Sequence, residues 1–353
     1  MPDADPPFTV RLSDPGEVAA ALPHLIGFQP RESLVAVSLR RPDGRRFGLT
    51  GRLDLPPAGY AAPALDGLVR SMRTDRPAAV LLLVVSEQGD DQDGGPASSQ
   101  LPHRPLAREA VLAFTAARVA VREVLLVRGG RWWSYDCEAA CCLPAAGTPL
   151  PGGTSPLAAA SVVTGQVVEA DRAALVRRLA PVGFLAAAGM ARACEEVGDD
   201  LARRTAELGW DAVAEEGWAA VLAAVAAAGS GPDARLSDRQ VARLAWGLRD
   251  VDLRDRALTL ALGRSAAAAE WVWSELTRRA PAPLAAAPAT LLAVTAWVRG
   301  DGSLANVALE RALASEPTYT FAVLLRAALD ACLPPAEIRR MIRDACGPSG
   351  ARR

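Results

Sequence analysis

Side chains able to do chemistry gather in a few short stretches. In "LPHLIGFQPRESLVAVSLR" (Leu22–Arg40), Arg31, Glu32 and Ser33 stand between Pro30 and an apolar run. The arginine offers a planar fork for a carboxylate or phosphate, the glutamate an acid or base, and the serine a hydroxyl. A serine nucleophile elbow needs strand–turn–helix order and flanking glycines, and Ser33 has neither. The trio therefore reads first as a hinge and second as a binding edge for an anion or partner. "GRLDLP" sets Arg52 and Asp54 two apart, on one side of a strand. A surface ion pair is the plain reading, and a polar cleft shared with Arg31 and Glu32 is the alternative. "GRWWSYD" adds Arg131, Trp133 and Tyr135. Strand alternation sends Trp132 and Ser134 one way and Trp133 and Tyr135 the other, so one tryptophan belongs to the core and the other is placed to cap a ligand pocket or a neighbouring domain.

The third group is "CEAACC", where Cys137 lies four residues from Cys141 and five from Cys142. On a turn of helix Cys137 and Cys141 would face each other. Zinc wants four ligands, CxxC spacing is missing, and the two histidines, His24 and His103, are distant in sequence. A metal site and a redox pair stand as the lesser readings beside a packed or capping role, and no cofactor is expected. Cys194, Cys332 and Cys346 fall on helical segments and read as small core residues.

Composition excludes several classes of function. The chain has no lysine, so all 39 basic residues are arginine, and Walker A or Schiff-base chemistry is ruled out. A net charge of -1 over 353 residues argues against a nucleic-acid partner. The N-terminus carries no basic-then-apolar targeting pattern, and the apolar windows are short and built on alanine. Six cysteines in a chain of this length are not a disulfide scaffold, so a cytoplasmic protein without membrane contact is expected.

Two halves must position these residues. The first alternates strands and helices: a strand at Phe8–Leu12, a capped helix to Gly27, strands at Ser33–Arg40 and from Phe47 across an Asp-Gly hairpin, a helix at Ala61–Asp75, and a strand at Ala78–Ser86 apolar enough for burial on both faces. A polar, mobile loop at Glu87–Pro105 precedes a helix at Leu106–Val119, then strands at Val121–Val127 and in "RWWSYD". This order predicts an α/β domain with a mixed sheet over residues 1–145. A Pro/Gly-rich linker follows at 146–160, and 161–353 reads as an all-helical domain. Within it, Ala245–Leu262 superimposes on Ala296–Leu313 at an offset of 51, pairing Ala-Trp with Ala-Trp, Asp250 with Asp301, Leu253 with Leu304 and Ala257-Leu258 with Ala308-Leu309. Gly300, Ala305, Ala312 and Pro317 fall at the offsets of a tetratricopeptide-like helix pair.

"LPHLIGFQPRESLVAVSL", "LTGRLDLP", "VRGGRWWSYDC", "ACCLPAAGTPL" and "AWVRGDGSLANVALERALASEPTY" together resemble an actinobacterial family, domain of unknown function 4192, and cover the chain almost end to end. The resemblance implies no reaction, since none is assigned to the family. Where the family has two prolines and an acid after the position of Cys142, this chain has "LPAAG", which argues against a working acid in that loop. The leading expectation is a binding or scaffold protein with a protein partner on the helical domain. The alternatives are an enzyme for a small anionic substrate, with Arg31, Arg52 and Arg131 as clamps and Glu32 or Asp54 as acid/base, and a thiol or zinc sensor at Cys137, Cys141 and Cys142.

Overall fold

The computed structural model describes residues 14–346 apart from 45, 58, 89–99, 153–167 and 232–234. The strand expected at Phe8–Leu12, the middle of the polar loop and part of the linker lie outside the described residues. The chain divides into two compact units, Met1–Arg172 and Ala173–Arg353.

In the first unit, helix α1 (Pro15–Ile26) starts because the Asp14 carboxylate accepts from the Gly16 N–H at 2.6 Å and Pro15 presets the first turn. It stops at Gly27, whose φ of 90° suits glycine and whose N–H returns to the Pro23 carbonyl at 2.8 Å. After Pro30 the chain enters β1 (Ser33–Arg40), followed by β2 (Arg46–Asp54), α2 (Ala61–Thr74), β3 (Ala79–Val85), α3 (Arg104–Ala116), β4 (Val121–Arg128), β5 (Arg131–Ser134) and the short β6 (Thr148–Pro149). Among the described residues these strands form one mixed sheet in the order β2-β1-β3-β4-β5-β6. β3 and β4 are parallel and joined through α3, whereas β1 is antiparallel to both of its neighbours.

Both faces of the central strands are covered, as the unbroken aliphatic run of β3 requires. On one face Leu34, Leu82, Val84 and Leu126 pack with Leu65 and Met72 of α2 and Phe114 of α3. On the other, Val35, Leu81, Leu83 and Leu125 are buried as well. Gly16 sits there so close to Trp132 that a Cβ would lie 2.5 Å from the indole nitrogen, which seats α1 on this face. Glu169, beyond the expected linker, still belongs to the first unit: the Gln29 N–H donates to its carbonyl and its own N–H to the Gly27 carbonyl, each at 3.0 Å.

The second unit is all-helical: α4 (Arg172–Arg178), α5 (Phe184–Leu208), α6 (Trp210–Gly229), α7 (Asp238–Gly247), α8 (Val251–Leu258) with a 3-10 turn to Leu262, α9 (Ala266–Arg279), α10 (Ala286–Arg299), α11 (Gly302–Ser315), α12 (Thr320–Asp330) and α13 (Pro335–Cys346). α10 forms its centre. Every residue from Ala286 to Val298 is buried, with α9, α11 and α13 packed on it. The internal repeat has a structural counterpart. Asp250 and Asp301 cap the helices that follow them, accepting from Leu253 N at 2.8 Å and Leu304 N at 2.9 Å. Trp246 and Trp297, each in the last turn of the preceding helix, donate their indole N–H to distant carbonyls, Cys194 at 2.9 Å and Leu333 at 3.2 Å. The two turns differ because Gly300, at φ 99°, adopts a left-handed conformation where Arg249 stands in the first copy. Cys194 is a core residue as expected, but Cys332 is not: it sits at φ 53° in the turn after α12, because the chain must reverse there before Pro334. The Cys346 side chain lies outside the described ones.

Candidate functional site

The strand directions bring the opening motif to one end of the sheet. β1 begins there, β2 and the parallel pair β3 and β4 end there, and Ser33 pairs with both Asp54 and Val85. The crevice beyond the carboxyl ends of parallel strands is where α/β sheets bind ligands. Glu32 holds φ at 39°, and its carboxylate accepts from the Ser86 hydroxyl at 2.7 Å and the Glu87 N–H at 2.8 Å. The Ser86 oxygen also accepts from the Gln88 N–H at 3.1 Å and lies 2.9 Å from His103 Nε2. His103, with φ at 57°, precedes α3, and the Tyr135 hydroxyl fastens the adjacent Pro102 carbonyl at 2.6 Å. The Glu87 carboxylate in turn accepts from Gly129 N at 3.0 Å, tying in the β4–β5 turn.

This gives a chain of carboxylate, hydroxyl and imidazole, Glu32–Ser86–His103, whose two end residues both hold the left-handed conformation. Such strain costs about 1–3 kcal/mol per residue and persists only where surrounding bonds impose it. Ser86 is buried, and its hydroxyl links Glu32 to His103 by hydrogen bonding. A sequence reading that looked for a base beside Ser33 missed Ser86, Glu87 and His103. The available signal was topological: a serine directly after the β3 run, and a His-Arg-Pro start to the helix that crosses to β4.

The other expected residues divide by location. Arg31 is exposed on this edge. Ser33 is buried, donates to the Arg31 carbonyl at 2.5 Å and accepts from Arg52 Nε at 2.8 Å. Arg52 pairs with Asp54 and lies 5.8 Å above the Phe28 ring, so the plain reading of "RLD" as an ion pair describes it. Arg131 sits at the same end of the sheet, but its guanidinium serves the carbonyls of Ala146 at 3.0 Å and Gly147 at 2.8 Å. Trp133 and Tyr135 lie in the core under α2 and α3, with the Trp133 indole donating to the Leu143 carbonyl at 3.1 Å.

The thiols form a second group. Cys137, Cys141 and Cys142 place their sulfurs within 4.8 Å of one another. A 3-10 turn at Ala140–Cys142 gathers them, in place of the α-helical turn that their spacing suggested. Burial pushes the Cys142 thiol up to about 11, whereas a backbone hydrogen bond from Ala139 lowers Cys137.

The helical unit carries apolar surface. Phe184 and Leu185 are each 85% exposed at the start of α5, and Leu208, Trp210 and Leu222 are exposed on α5 and α6. A cleft lined by Asp200, Arg204, Arg239 and Arg243 has its cations engaged: Arg204 and Arg243 both bind Glu216, at 2.6 and 3.1 Å.

Fold and sites together define a two-part protein, a mixed-sheet α/β unit with a polar carboxyl edge and a free-thiol loop, followed by an all-helical unit. The chain belongs to the family described as Domain of unknown function (DUF4192), whose model matches residues 15–336. No curated protein and no solved structure matches it.

Proposed function

We propose that the protein is a binding protein whose helical unit docks a protein partner. The observation that carries this reading is α6. The helix is long and apolar enough to cross a membrane by length and composition, yet only 22% of its most apolar window is buried. An all-round apolar helix belongs in a core, as α10 is, and exposed apolar surface of this kind marks an interaction site. Exposed Phe184 and Leu185 add to it. Glu215 and Glu216 near the start of α6 pair with Arg256, Arg204 and Arg243, and these ties favour a helical bundle over a bilayer. The α10–α11 hairpin, with Gly300, Ala305, Ala312 and Pro317 at the tetratricopeptide offsets, supports a repeat-like, partner-binding unit. Free thiols suit a reducing, cytoplasmic setting.

The test uses the full chain and a Leu185→Asp, Leu222→Asp variant. Both side chains are exposed, so the melting temperature should stay within a degree or two of wild type. In affinity capture from an extract of its own cells, the wild type is expected to enrich a protein that the variant retains at least about tenfold less. Equal capture by both would contradict the reading.

A second reading, an enzyme acting on a small anionic substrate, is favoured by the Glu32–Ser86–His103 chain with Arg31 exposed nearby. Ser86→Ala is expected to cost about 1 kcal/mol of stability whatever the role, because it removes the hydrogen bonds that buried Ser86 makes to half-buried Glu32 and His103. Under the enzyme reading it also lowers turnover on small phosphate or carboxylate esters by about 100-fold. A wild type that turns over none of them removes this second reading.

A further inference from the structure

The loop after β5 holds three sulfurs in a setting built for more than packing. The Cys137 N–H bonds the Ser134 carbonyl at 3.4 Å, the Cys142 N–H bonds Ala139 at 2.9 Å, and the turn brings Cys141 Sγ to 3.9 Å from Cys142 Sγ. All three sulfurs lie within 4.8 Å of one another. A metal ion with bonds of about 2.3 Å to sulfur in tetrahedral geometry holds its ligands about 3.8 Å apart, so the sulfurs need only a small contraction to share one ion.

The loop is held from several sides. Trp133 donates to the Leu143 carbonyl, Arg131 bonds the carbonyls of Ala146 and Gly147, and β6 pairs back onto β5. A backbone N–H already points at one of the sulfurs, Ser134 N to Cys142 Sγ at 3.4 Å. Such N–H donors orient thiolate ligands and stabilise their charge. Burial is graded across the set, from buried Cys142 through half-buried Cys137 to exposed Cys141, so one side of the cluster opens to solvent. Among the described residues no carboxylate or imidazole joins the three sulfurs.

We propose that Cys137, Cys141 and Cys142 form a three-sulfur site for a soft, thiophilic metal ion, with the fourth coordination position open on the Cys141 side. An all-sulfur donor set selects soft ions over magnesium, calcium or manganese. Three protein ligands with one open position suit an ion that exchanges or meets an outside ligand, and not a closed structural site.

The test is titration of the reduced full-length protein with Zn2+ and with Cd2+ against a chromophoric chelator. Binding of about one ion per chain is expected, with sulfur-to-cadmium charge-transfer absorption. Cys137→Ser and Cys141→Ser should each weaken binding by at least about tenfold, and Cys332→Ser, in the helical unit and outside the three-sulfur cluster, should not change it. Because Cys141 is exposed, its variant should keep the wild-type melting temperature, so its loss of metal cannot be ascribed to misfolding. Reduced protein that binds neither ion while all three thiols titrate freely, or that yields only a disulfide among them, would overturn the proposal. Undiminished binding in a Cys137→Ser, Cys141→Ser double variant would do the same.

Discussion

Replacing Arg299 by alanine is expected to cost the helical unit about 3 kcal/mol or more at neutral pH, one of the largest effects of any single change away from the core hydrophobes. The reason is Glu270. Its side chain is only 10% exposed, and its charge is answered by the Arg299 guanidinium, which also reaches Asp301 at 3.1 Å. Asp301 in turn caps α11 through the Leu304 N–H. Arg299 thus joins α9, the end of α10 and the start of α11. Burial holds the Glu270 carboxyl above its ordinary range even with Arg299 present, and without the arginine it would rise further.

The sign of the pH dependence follows. An acid whose folded pKa is raised favours folding while protonated, and that stability is lost as pH rises through the folded value. The deficit of Arg299→Ala should therefore be largest near neutrality and shrink in mild acid, where Glu270 takes up its proton. Adding Glu270→Gln should restore part of the loss at neutral pH. Denaturant melts across pH check both points, and a pH-independent deficit would show that packing by the arginine stem dominates.

Gly147→Ala should destabilise the first unit by about 2–4 kcal/mol, joining overpacking of the core to a side chain forced into the left-handed region. Gly147 holds φ at 70°, and a Cβ there would lie 2.4 Å from the Trp133 ring. Trp133 is buried, so neither partner can yield cheaply. Since the same contact clamps the loop that carries Cys142, the variant should also expose that thiol. Thiol titration of native protein reads this directly: faster modification of Cys142 is expected, and unchanged melting with unchanged reactivity would place the loop elsewhere.

Much of the first unit is legible in the residues themselves. Gly27, Pro30 and the period of the following run locate β1 to the residue, and the aliphatic run of β3 states its burial on both faces. The polar chain at the sheet edge is not legible, because Glu32, Ser86 and His103 meet only through the pairing of β1 with β3 and the crossover through α3. Arg52 and Arg131 have the residue types of anion clamps, but local carbonyls and carboxylates take up their forks. In the helical half, Asp250 and Asp301 announce the repeat by their capping chemistry. The contrast between α6 and α10 is hidden, since both are alanine-rich and apolar, and only the packing order decides which one is enclosed.

The most direct measurement of partner docking is hydroxyl-radical footprinting of the full chain, alone and in the complex captured by it. Phe184, Leu185, Trp210 and Leu222 should be oxidised readily in the free chain, as their exposure requires. In the complex their labelling is expected to fall several-fold, while exposed Tyr60 in the first unit stays unchanged. Equal labelling of these four residues in the free and captured chain would contradict a docking face on the helical unit.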